Sequence, residues 1–202
     1  MYRLIDEKTT YIGENVTIGE GCIIYPNVMI IGETVIGENT TIYLGSYIED
    51  STIGKGNTIY TSYIMNSTIG DNNLIGPYAN VRPGNIIGNN NKVGAFVEVK
   101  KTEIKNNVQI PHLSCVNDSI VEDNVNIGAG VKIANWDGKR YHTAVIKEDS
   151  FIGCNSVLVS PVTLHKKSFV AAGSTITDDV PENTLAIARE RQINKERKIN
   201  KE

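Results

Sequence analysis

The 202-residue sequence is poor in cysteine, in aromatic residues and in excess charge of either sign. Its three cysteines, Cys22, Cys115 and Cys154, are odd in number and widely spaced, so we expect neither a disulfide framework nor a CxxC metal site. The net charge of -3 gives no reason to expect nucleic acid or an anionic membrane as partner. No apolar run approaches the about 20 residues of a membrane span, and the N-terminus has no signal segment. These absences favour a cytoplasmic protein.

A six-residue repeat dominates the sequence. From Tyr11 to Ile176 an aliphatic residue, often followed by glycine, returns about every six positions. This period is typical of neither a helix nor a hairpin. It indicates a hexapeptide β-helix, in which each hexad supplies one short strand and one turn. We therefore predict an all-β domain over residues 1–180, with residues 1–9 capping its open end.

The repeat also predicts a three-sided coil. Intervals shortened to four or five residues recur at every third hexad or at a multiple of it, which is expected if three hexads complete one triangular turn. The inward residues then form three faces. The first face carries Ile36, Ile53, Ile69, Ile87, Ile104 and Val121. The second carries Ile42, Ile59, Ile75, Val93, Ile110 and Ile127. The third carries Ile48, Met65, Val81, Val99, Val116 and Ile133.

Two segments depart from the repeat. Residues 136–142, WDGKRYH, are polar, aromatic and basic, so we expect them to leave the coil as a loop. Residues 181–202 are charged and helix-permissive, which favours a short C-terminal helix or a tail.

A column of small residues follows the second face. Coils of a β-helix stack about 4.8 Å apart, so equivalent positions form columns parallel to the axis. Two residues after the inward aliphatic, the column reads Ala95, His112, Ala129, Cys154 and Ala172. The small residues beyond His112, with Gly130 and Gly173 beside them, predict a groove for a thin flexible chain that ends at the imidazole. The alternative is a coil that serves only as a scaffold.

Arg82 and Lys100 each follow an inward residue of the third face, on adjacent coils. Two like charges about 5 Å apart repel, which suggests an anion beside them. The alternative is a solvated basic pair balanced by Glu98 or Glu103. The next coil carries His112, so an anion site would lie near a potential base. This combination suits transfer from a long thioester carrier to a small phosphorylated acceptor.

Residues 76–189 resemble the acetyltransferase domain of the bifunctional N-acetylglucosamine-1-phosphate uridylyltransferase/glucosamine-1-phosphate acetyltransferase family. The matching segments occur in the family's order with nearly its spacing. They are VRPG (81–84), GAFVEVKK (94–101), HLSCVND (112–118), NVNIGAG (124–130), ANWDGKRYHT (134–143), FIGCNSVLVSPV (151–162), AAGSTIT (171–177) and LAIAR (185–189). The resemblance implies a left-handed parallel β-helix, a homotrimer and acetyl-CoA as the donor, with no metal. In such a trimer we expect Arg140 and Tyr141 of the loop to reach a neighbouring subunit's site.

The resemblance also implies roles for individual residues. Arg82 and Lys100 match sugar-phosphate ligands, His112 matches the general base, and Asn126 matches a sugar contact. Residues matching the acetyl-CoA site are Ala129, Asn135, Trp136, Cys154, Ala172 and Arg189. Trp136 stands where the family usually has tyrosine, and Cys154 where it usually has serine.

Two departures affect the acceptor site. Cys115 stands where the family has a tyrosine that contacts the sugar, and Asn117 replaces a glycine. A thiol cannot reproduce the hydrogen bond of a phenol, so we expect a different acceptor or weaker binding of glucosamine 1-phosphate. No Gly-rich nucleotide loop precedes the coil, so we expect no uridylyltransferase activity.

The predicted reaction is acetyl-CoA-dependent N-acetylation of an amino-sugar phosphate. His112 would take the proton of the attacking amine, and a backbone N–H near Ala129 or Cys154 would stabilise the oxyanion. His142 in the loop and His165 are weaker candidates for the base, and direct transfer needs no cysteine nucleophile. Three alternatives remain: an acyltransferase on another sugar or nucleotide sugar, a γ-type carbonic anhydrase with three histidines on zinc, or a β-helix without catalysis.

Overall fold

Short strands separated by tight corners form the whole fold. A computed structural model describes residues 1–195 of the chain. Each strand is only two to four residues long, because each hexad provides a few β-branched residues before its turn. Asparagine and glycine occupy many of the corners, where the backbone is left-handed; Asn39 has a φ of 56° and Asn72 a φ of 57°.

The strands, in chain order, have the following bounds. The first ten are β1 Arg3–Leu4, β2 Tyr11–Ile12, β3 Thr17–Ile18, β4 Ile23–Ile24, β5 Met29–Ile31, β6 Val35–Ile36, β7 Thr41–Ile42, β8 Tyr47–Glu49, β9 Thr52–Ile53 and β10 Thr58–Ile59. The next ten are β11 Tyr63–Met65, β12 Thr68–Ile69, β13 Leu74–Ile75, β14 Asn80–Val81, β15 Ile86–Ile87, β16 Lys92–Ala95, β17 Glu98–Lys100, β18 Glu103–Ile104, β19 Gln109–His112 and β20 Cys115–Asn117. The last ten are β21 Ser119–Val121, β22 Asn126–Ile127, β23 Lys132–Ala134, β24 Ala144–Ile146, β25 Phe151–Ile152, β26 Val157–Val159, β27 Val162–Leu164, β28 Phe169–Val170, β29 Thr175–Ile176 and β30 Leu185–Ala186.

Three parallel sheets wrap around one core. From β1 to β29 every third strand joins the same sheet, and β30 then pairs with β28, so the chain forms a left-handed β-helix of about ten turns. Sheet A runs β1-β4-β7-β10-β13-β16-β19-β22-β25-β28-β30. Sheet B runs β2-β5-β8-β11-β14-β17-β20-β23-β26-β29, and sheet C runs β3-β6-β9-β12-β15-β18-β21-β24-β27. The three predicted faces are thus confirmed as sheets C, A and B, in that order.

The core is a stack of inward aliphatic side chains. Ile42, Ile59 and Ile75 of sheet A, for example, are fully buried and occupy paired positions on successive coils. Buried asparagines line one inner corner, where Asn57 Oδ1 accepts from the backbone N–H of Asn73, and Asn73 Oδ1 from that of Asn91. These side chains satisfy corner amides that the sheets leave unpaired, so the corners are held as firmly as the strands.

The assignment of Met65 to the core was wrong. Ile64 is the inward residue, because it pairs with Ile48 below and Val81 above and is fully buried. Met65 pairs with Glu49 and is only half-buried. The corner between Ile59 and Ile64 is one residue shorter than its neighbours, with Thr61 in a left-handed conformation. The repeat therefore shifts by one residue at this corner.

The ends of the coil also differ from the expectation. Residues Arg3–Leu4 form β1 and pair with β4, so the predicted cap contributes a strand. At the other end β30 pairs with β28, which extends the coil beyond residue 180. Residues 181–195 contain no helix; the rest of the predicted helix or tail, residues 196–202, lies outside the described residues. Within the described part of the chain, no helix has the length and hydropathy that a membrane span requires.

Candidate functional site

Sheet B carries a polar patch on its outer surface, defined by residues of four successive coils. Its members are Asn80, Arg82, Glu98, Lys100, Cys115, Asn117 and Lys132. Apolar residues at the same outward positions flank the patch, with Tyr63 and Met65 on one side and Val157 and Val159 on the other. Because the core beneath is uniform, the outward side chains alone make this region polar.

Glu98 lies at the centre of the polar patch. Its Oε1 accepts from Asn117 Nδ2 at 3.0 Å and from an Arg82 guanidinium nitrogen at 3.5 Å. Asn80 Nδ2 lies 3.5 Å from the other carboxylate oxygen. Burial acts to raise the pKa of Glu98, but the hydrogen bond from Asn117 and the charge of Arg82 outweigh it, so the pKa is lowered. The carboxylate is therefore held ionised.

Cys115 and Asn117 complete this cluster. The Cys115 thiol lies 3.7 Å from Glu98 Oε1, and Asn117 Nδ2 lies 3.0 Å from the Cys115 sulfur. Burial, followed by the charge of Glu98, raises the pKa of Cys115, so the thiol is protonated and a poor nucleophile. Asn117 Oδ1 is buried and has no hydrogen-bond partner among the described residues. Cys115 and Asn117 thus both belong to the polar patch around Glu98.

The structure places Arg82 and Lys100 on adjacent coils, as the repeat predicts, but directs their side chains differently. Arg82 pairs with Glu98, whereas the Lys100 ammonium lies 5.5 Å from the centre of the Tyr141 ring. The ladder neighbour of Lys100 on the next coil is Asn117, and His112 lies on the adjoining sheet. An anion at this site would therefore meet Lys100 first, unless it separates Arg82 from Glu98.

The loop at residues 136–142 leaves the coil, as predicted, and folds into a small hairpin. Trp136 and Tyr141 form an antiparallel bridge, and their rings lie 4.7 Å apart. Asp137 closes the turn, since it accepts from the backbone N–H groups of Lys139 and Arg140 and lies 2.6 Å from His142 Nε2. The His142 contact and those two N–H groups hold the pKa of Asp137 well below its usual range. Tyr141 thereby packs on Lys100 of its own chain.

His112 lies at the corner between sheets A and B. It pairs with Ala95 on the coil below, and its carbonyl accepts from the N–H of Gly130 at 3.2 Å. The same backbone hydrogen bond recurs on the next coils, where the N–H of Asn155 donates to the carbonyl of Ala129 and the N–H of Gly173 donates to the carbonyl of Cys154. The predicted column of Ala95, His112, Ala129, Cys154 and Ala172 is therefore continuous. The imidazole is exposed, so it can meet a ligand in this column.

The small residues of this corner favour a groove along sheet A. Its floor is formed by Gly128, Gly153 and Ala171, which follow the inward residues of successive coils. A Cβ on Gly128 would lie 2.7 Å from the backbone nitrogen of Cys154, so the coils approach too closely for a side chain there. Phe151 and Phe169 form one wall, with stacked rings 4.4 Å apart. An apolar wall over a glycine floor suits a thin, partly apolar chain such as pantetheine.

The remaining predicted residues lie in three places. Arg189 lies near the column, since its Cδ would be 3.8 Å from a Cβ on Gly173. Asn126 points outward from sheet A, directly below Phe151. Asn135 and Trp136 lie at the corner between sheets B and C, where Asn135 Nδ2 donates to Asp118 Oδ2 at 2.6 Å. Within one chain, sheet B separates Asn135 and Trp136 from the column at His112.

Sequence reasoning missed Lys132, Phe151 and Phe169 as members of the site. Lys132 occupies the ladder position above Cys115, and the two phenylalanines occupy the one above Asn126. The sequence signal was available, because all three precede an inward aliphatic residue.

The three histidines lie in separate parts of the coil. His112 ends β19, His142 is the last residue of the hairpin loop, and His165 follows β27. In residues 1–195, no three side chains of His, Cys, Asp or Glu are grouped so that they could hold a metal ion.

Comparison with known proteins supports a relationship over most of the chain. The sequence profile described as "GMPPB C-terminal domain" matches residues 63–202. The chain is 45% identical over 199 residues to "Bifunctional protein GlmU" of Shouchella clausii (strain KSM-K16), a match that covers 98% of this chain and 44% of that protein. It is 48% identical over 198 residues to the protein of the same name from Geobacillus sp. (strain WCH70), covering 98% and 43%. The chain thus spans less than half the length of these relatives and corresponds to their C-terminal half.

Solved structures support the fold. A UDP-N-acetylglucosamine acyltransferase of Francisella novicida has a TM-score of 0.56 at 21% identity, and the match covers 93% of this chain and 67% of that one. An acyltransferase of Moraxella catarrhalis has a TM-score of 0.53 at 21% identity, covering 89% and 69%. At this identity the likeness shows the shared β-helix alone.

Proposed function

The chain belongs to the family of the GMPPB C-terminal domain, and on this premise we propose that it transfers an acetyl group from acetyl-CoA to an amino-sugar phosphate. Glucosamine 1-phosphate is the most specific acceptor that we propose. The relatives named "Bifunctional protein GlmU" support this, since they match the chain at 45% and 48% identity. The single observation that carries the proposal is the exposed His112 in a column of small residues, beside the glycines of sheet A.

The acetyl-CoA site would be the groove on sheet A and its corner. The apolar wall of Phe151 and Phe169 and the small residues Ala129, Cys154 and Ala172 leave room for the pantetheine chain. Arg189, beside Gly173 at the far end, would approach the phosphates of the donor. Acetyl-CoA supplies an activated thioester carbonyl; the residues of this chain orient it toward His112.

His112 would act as the general base. An ammonium has no lone pair, so its proton must be removed as the nitrogen attacks the thioester carbonyl. The unperturbed pKa of a histidine, about 6.5, suits this role near neutral pH. The backbone N–H of Ala129 has no acceptor within the described residues, so it is free to donate to the tetrahedral oxyanion. Cys115 would not form a covalent intermediate, because its thiol is held protonated.

The polar patch would hold the acceptor. Lys100 has no carboxylate partner within residues 1–195, and Arg82 becomes available if an anion replaces Glu98 as its partner. The ionised Glu98 would also attract the acceptor's ammonium. The altered residues Cys115 and Asn117 lie in this patch, so an acyltransferase that acts on a different sugar or nucleotide sugar is the second candidate.

We propose that the active assembly is a homotrimer. The predicted ligands lie on different sides of one chain, with Asn126 on sheet A, the polar patch on sheet B and Trp136 at the far corner. Side-by-side packing would bring such surfaces together across a subunit boundary. Light scattering tests this, and a monomer with full activity would contradict it.

The decisive experiment is an acceptor panel with acetyl-CoA as donor. Release of free CoA is measured with glucosamine 1-phosphate, glucosamine, nucleotide-linked amino sugars and no acceptor. We expect the highest kcat/KM with glucosamine 1-phosphate. Turnover only with another amino sugar would favour the second candidate, and no transfer to any acceptor would contradict an acetyltransferase.

A further inference from the structure

Lys132 places a cation at the edge of the polar patch nearest to His112. Its ammonium donates to the carbonyl of Leu113 at 2.8 Å and to that of Gly130 at 3.1 Å. Leu113 follows His112 directly, and Gly130 donates its N–H to the His112 carbonyl. The ammonium is therefore anchored to the residue that follows His112 and to the residue whose N–H donates to the His112 carbonyl.

One hydrogen of this ammonium remains available. A lysine has three N–H donors, and the two carbonyls use two of them. No carboxylate pairs with Lys132 in the part of the chain that the structure describes, and the side chain is exposed. The third donor is thus available to a ligand.

The charges in the patch leave a cation at each edge. Arg82 is paired with Glu98, whereas the Lys100 ammonium lies toward Tyr141 and that of Lys132 toward the His112 corner. Between them lie Cys115 and Asn117, whose polar hydrogens are directed at Glu98. Lys132 lies one coil, about 5 Å along the axis, beyond Cys115. Lys100 lies one coil before Asn117, so the two lysines mark opposite edges of the patch.

We propose that Lys132 binds a phosphate group of the acceptor at the edge of the polar patch beside Cys115 and the His112 corner. This rests on the proposed function, because it assigns a further ligand to the same acceptor site. A phosphate at this edge of the patch would receive one charge-assisted hydrogen bond from Lys132. Lys132 would then also orient the acceptor, since it fixes the phosphate relative to His112. Lys132 is thereby a specificity-determining residue for phosphorylated acceptors.

Phosphate groups have two possible sources in this reaction, the acceptor and the CoA moiety of the donor. Lys132 is assigned to a phosphate of the acceptor. Titration calorimetry with glucosamine 1-phosphate and with glucosamine, in the absence of donor, tests it directly. Binding of CoA and of pantetheine, which lacks the nucleotide phosphates, tests the other source.

The variant is Lys132→Met, which keeps the length of the side chain and removes its charge. We expect it to weaken binding of glucosamine 1-phosphate about tenfold, the effect of one hydrogen bond to a charged group, and to leave glucosamine unchanged. Lys132→Arg should retain most of the affinity. Lys55→Met, a change at a surface position of the first coils, is the matched control and should bind like the wild type.

Three results would overturn the proposal. They are unchanged binding of glucosamine 1-phosphate by Lys132→Met, an equal loss for glucosamine, and a loss confined to CoA. Lys100→Met separates this inference from the proposed function. If Lys100→Met weakens the phosphorylated sugar and Lys132→Met does not, only the role of Lys132 is wrong. If the wild type binds no phosphorylated sugar, the proposed acceptor itself is wrong.

Discussion

The first coils of the protein and the later ones share a core and differ in what they present to solvent. On sheet A, the position after the inward residue carries Tyr25, Tyr43 and Tyr60, whose rings stack 4.6 and 4.3 Å apart. From the next coil onward, the same position carries Gly76, Gly94, Pro111, Gly128, Gly153 and Ala171. A filled column makes a solid face, and an emptied column makes a groove. The β-helix therefore offers a filled face in its first coils and an open face in its later coils, where the backbones of adjacent coils lie too close for a side chain at several of these positions.

Sheet B shows the same contrast with charge instead of volume. The outward position before the inward residue carries Tyr11, Met29, Tyr47 and Tyr63 in the first coils. The following coils carry Asn80, Glu98, Cys115 and Lys132 there. We infer that the first coils serve as a scaffold, whereas the later coils bind and react. The predictions below test this division.

The largest effect is expected at His112. His112→Ala should lower turnover by about two decades or more, because general base catalysis is lost, while acetyl-CoA binding persists. His165→Ala, at an exposed position after β27, is the matched control and should turn over normally. Near-normal turnover of His112→Ala would remove this residue from the mechanism.

The next largest effect concerns stability in the first coils. Ile64→Ala should lower the free energy of unfolding by about 2 to 5 kcal/mol, because a fully buried side chain is removed from a core that cannot collapse. The adjacent Met65→Ala should cost about 1 kcal/mol or less, since Met65 points outward. Denaturant unfolding measures both. A larger cost for Met65→Ala would reverse the inward and outward assignment.

A smaller effect is expected where the chain departs from its family. Cys115→Tyr should raise kcat/KM for glucosamine 1-phosphate about five- to a hundredfold, if the missing phenol is the only obstacle, since one hydrogen bond to a polar or charged group is restored. Steady-state kinetics on both proteins measure this. If the substitution lowers a high wild-type value, Cys115 does not weaken the site, and the pocket suits the thiol.

The smallest effect is a pH dependence from Glu98. The pKa of Glu98 in the folded protein lies below the ordinary value of 4.5. The stability that the ionised Glu98 contributes is therefore fully present above pH 4.5, and it is lost as the pH falls through the pKa of the folded state. Glu98→Gln should therefore melt below the wild type at neutral pH, and the difference should shrink in acid. Glu14→Gln, at a surface position of the first coils, is the control. A difference between Glu98→Gln and wild type that does not change with pH would contradict the ionised cluster.

The sequence predicted the fold because the hexad repeat reports directly on which residues point inward. It failed at Met65, where one corner loses a residue and both Ile64 and Met65 are apolar. The repeat also identified the column at His112, since equivalent positions stack. The repeat does not predict the direction of long side chains. Only the structure therefore reveals the pairing of Arg82 with Glu98 and the contact of Lys132 with Leu113. The hairpin fold of the loop likewise depends on Asp137 contacts that no repeat encodes.

The division between the two regions is tested most directly by titrating the protein with acetyl-CoA and recording the shifts of its backbone amide NMR signals. This measurement requires no acceptor and no knowledge of the sugar. We expect shifts at Ala129, Cys154 and Ala172 and at the phenylalanines of the groove wall, with the amides of Thr41 and Thr58 unmoved. Shifts centred on the tyrosine columns of the first coils, with the glycine-floored groove unaffected, would contradict the assignment of the donor site.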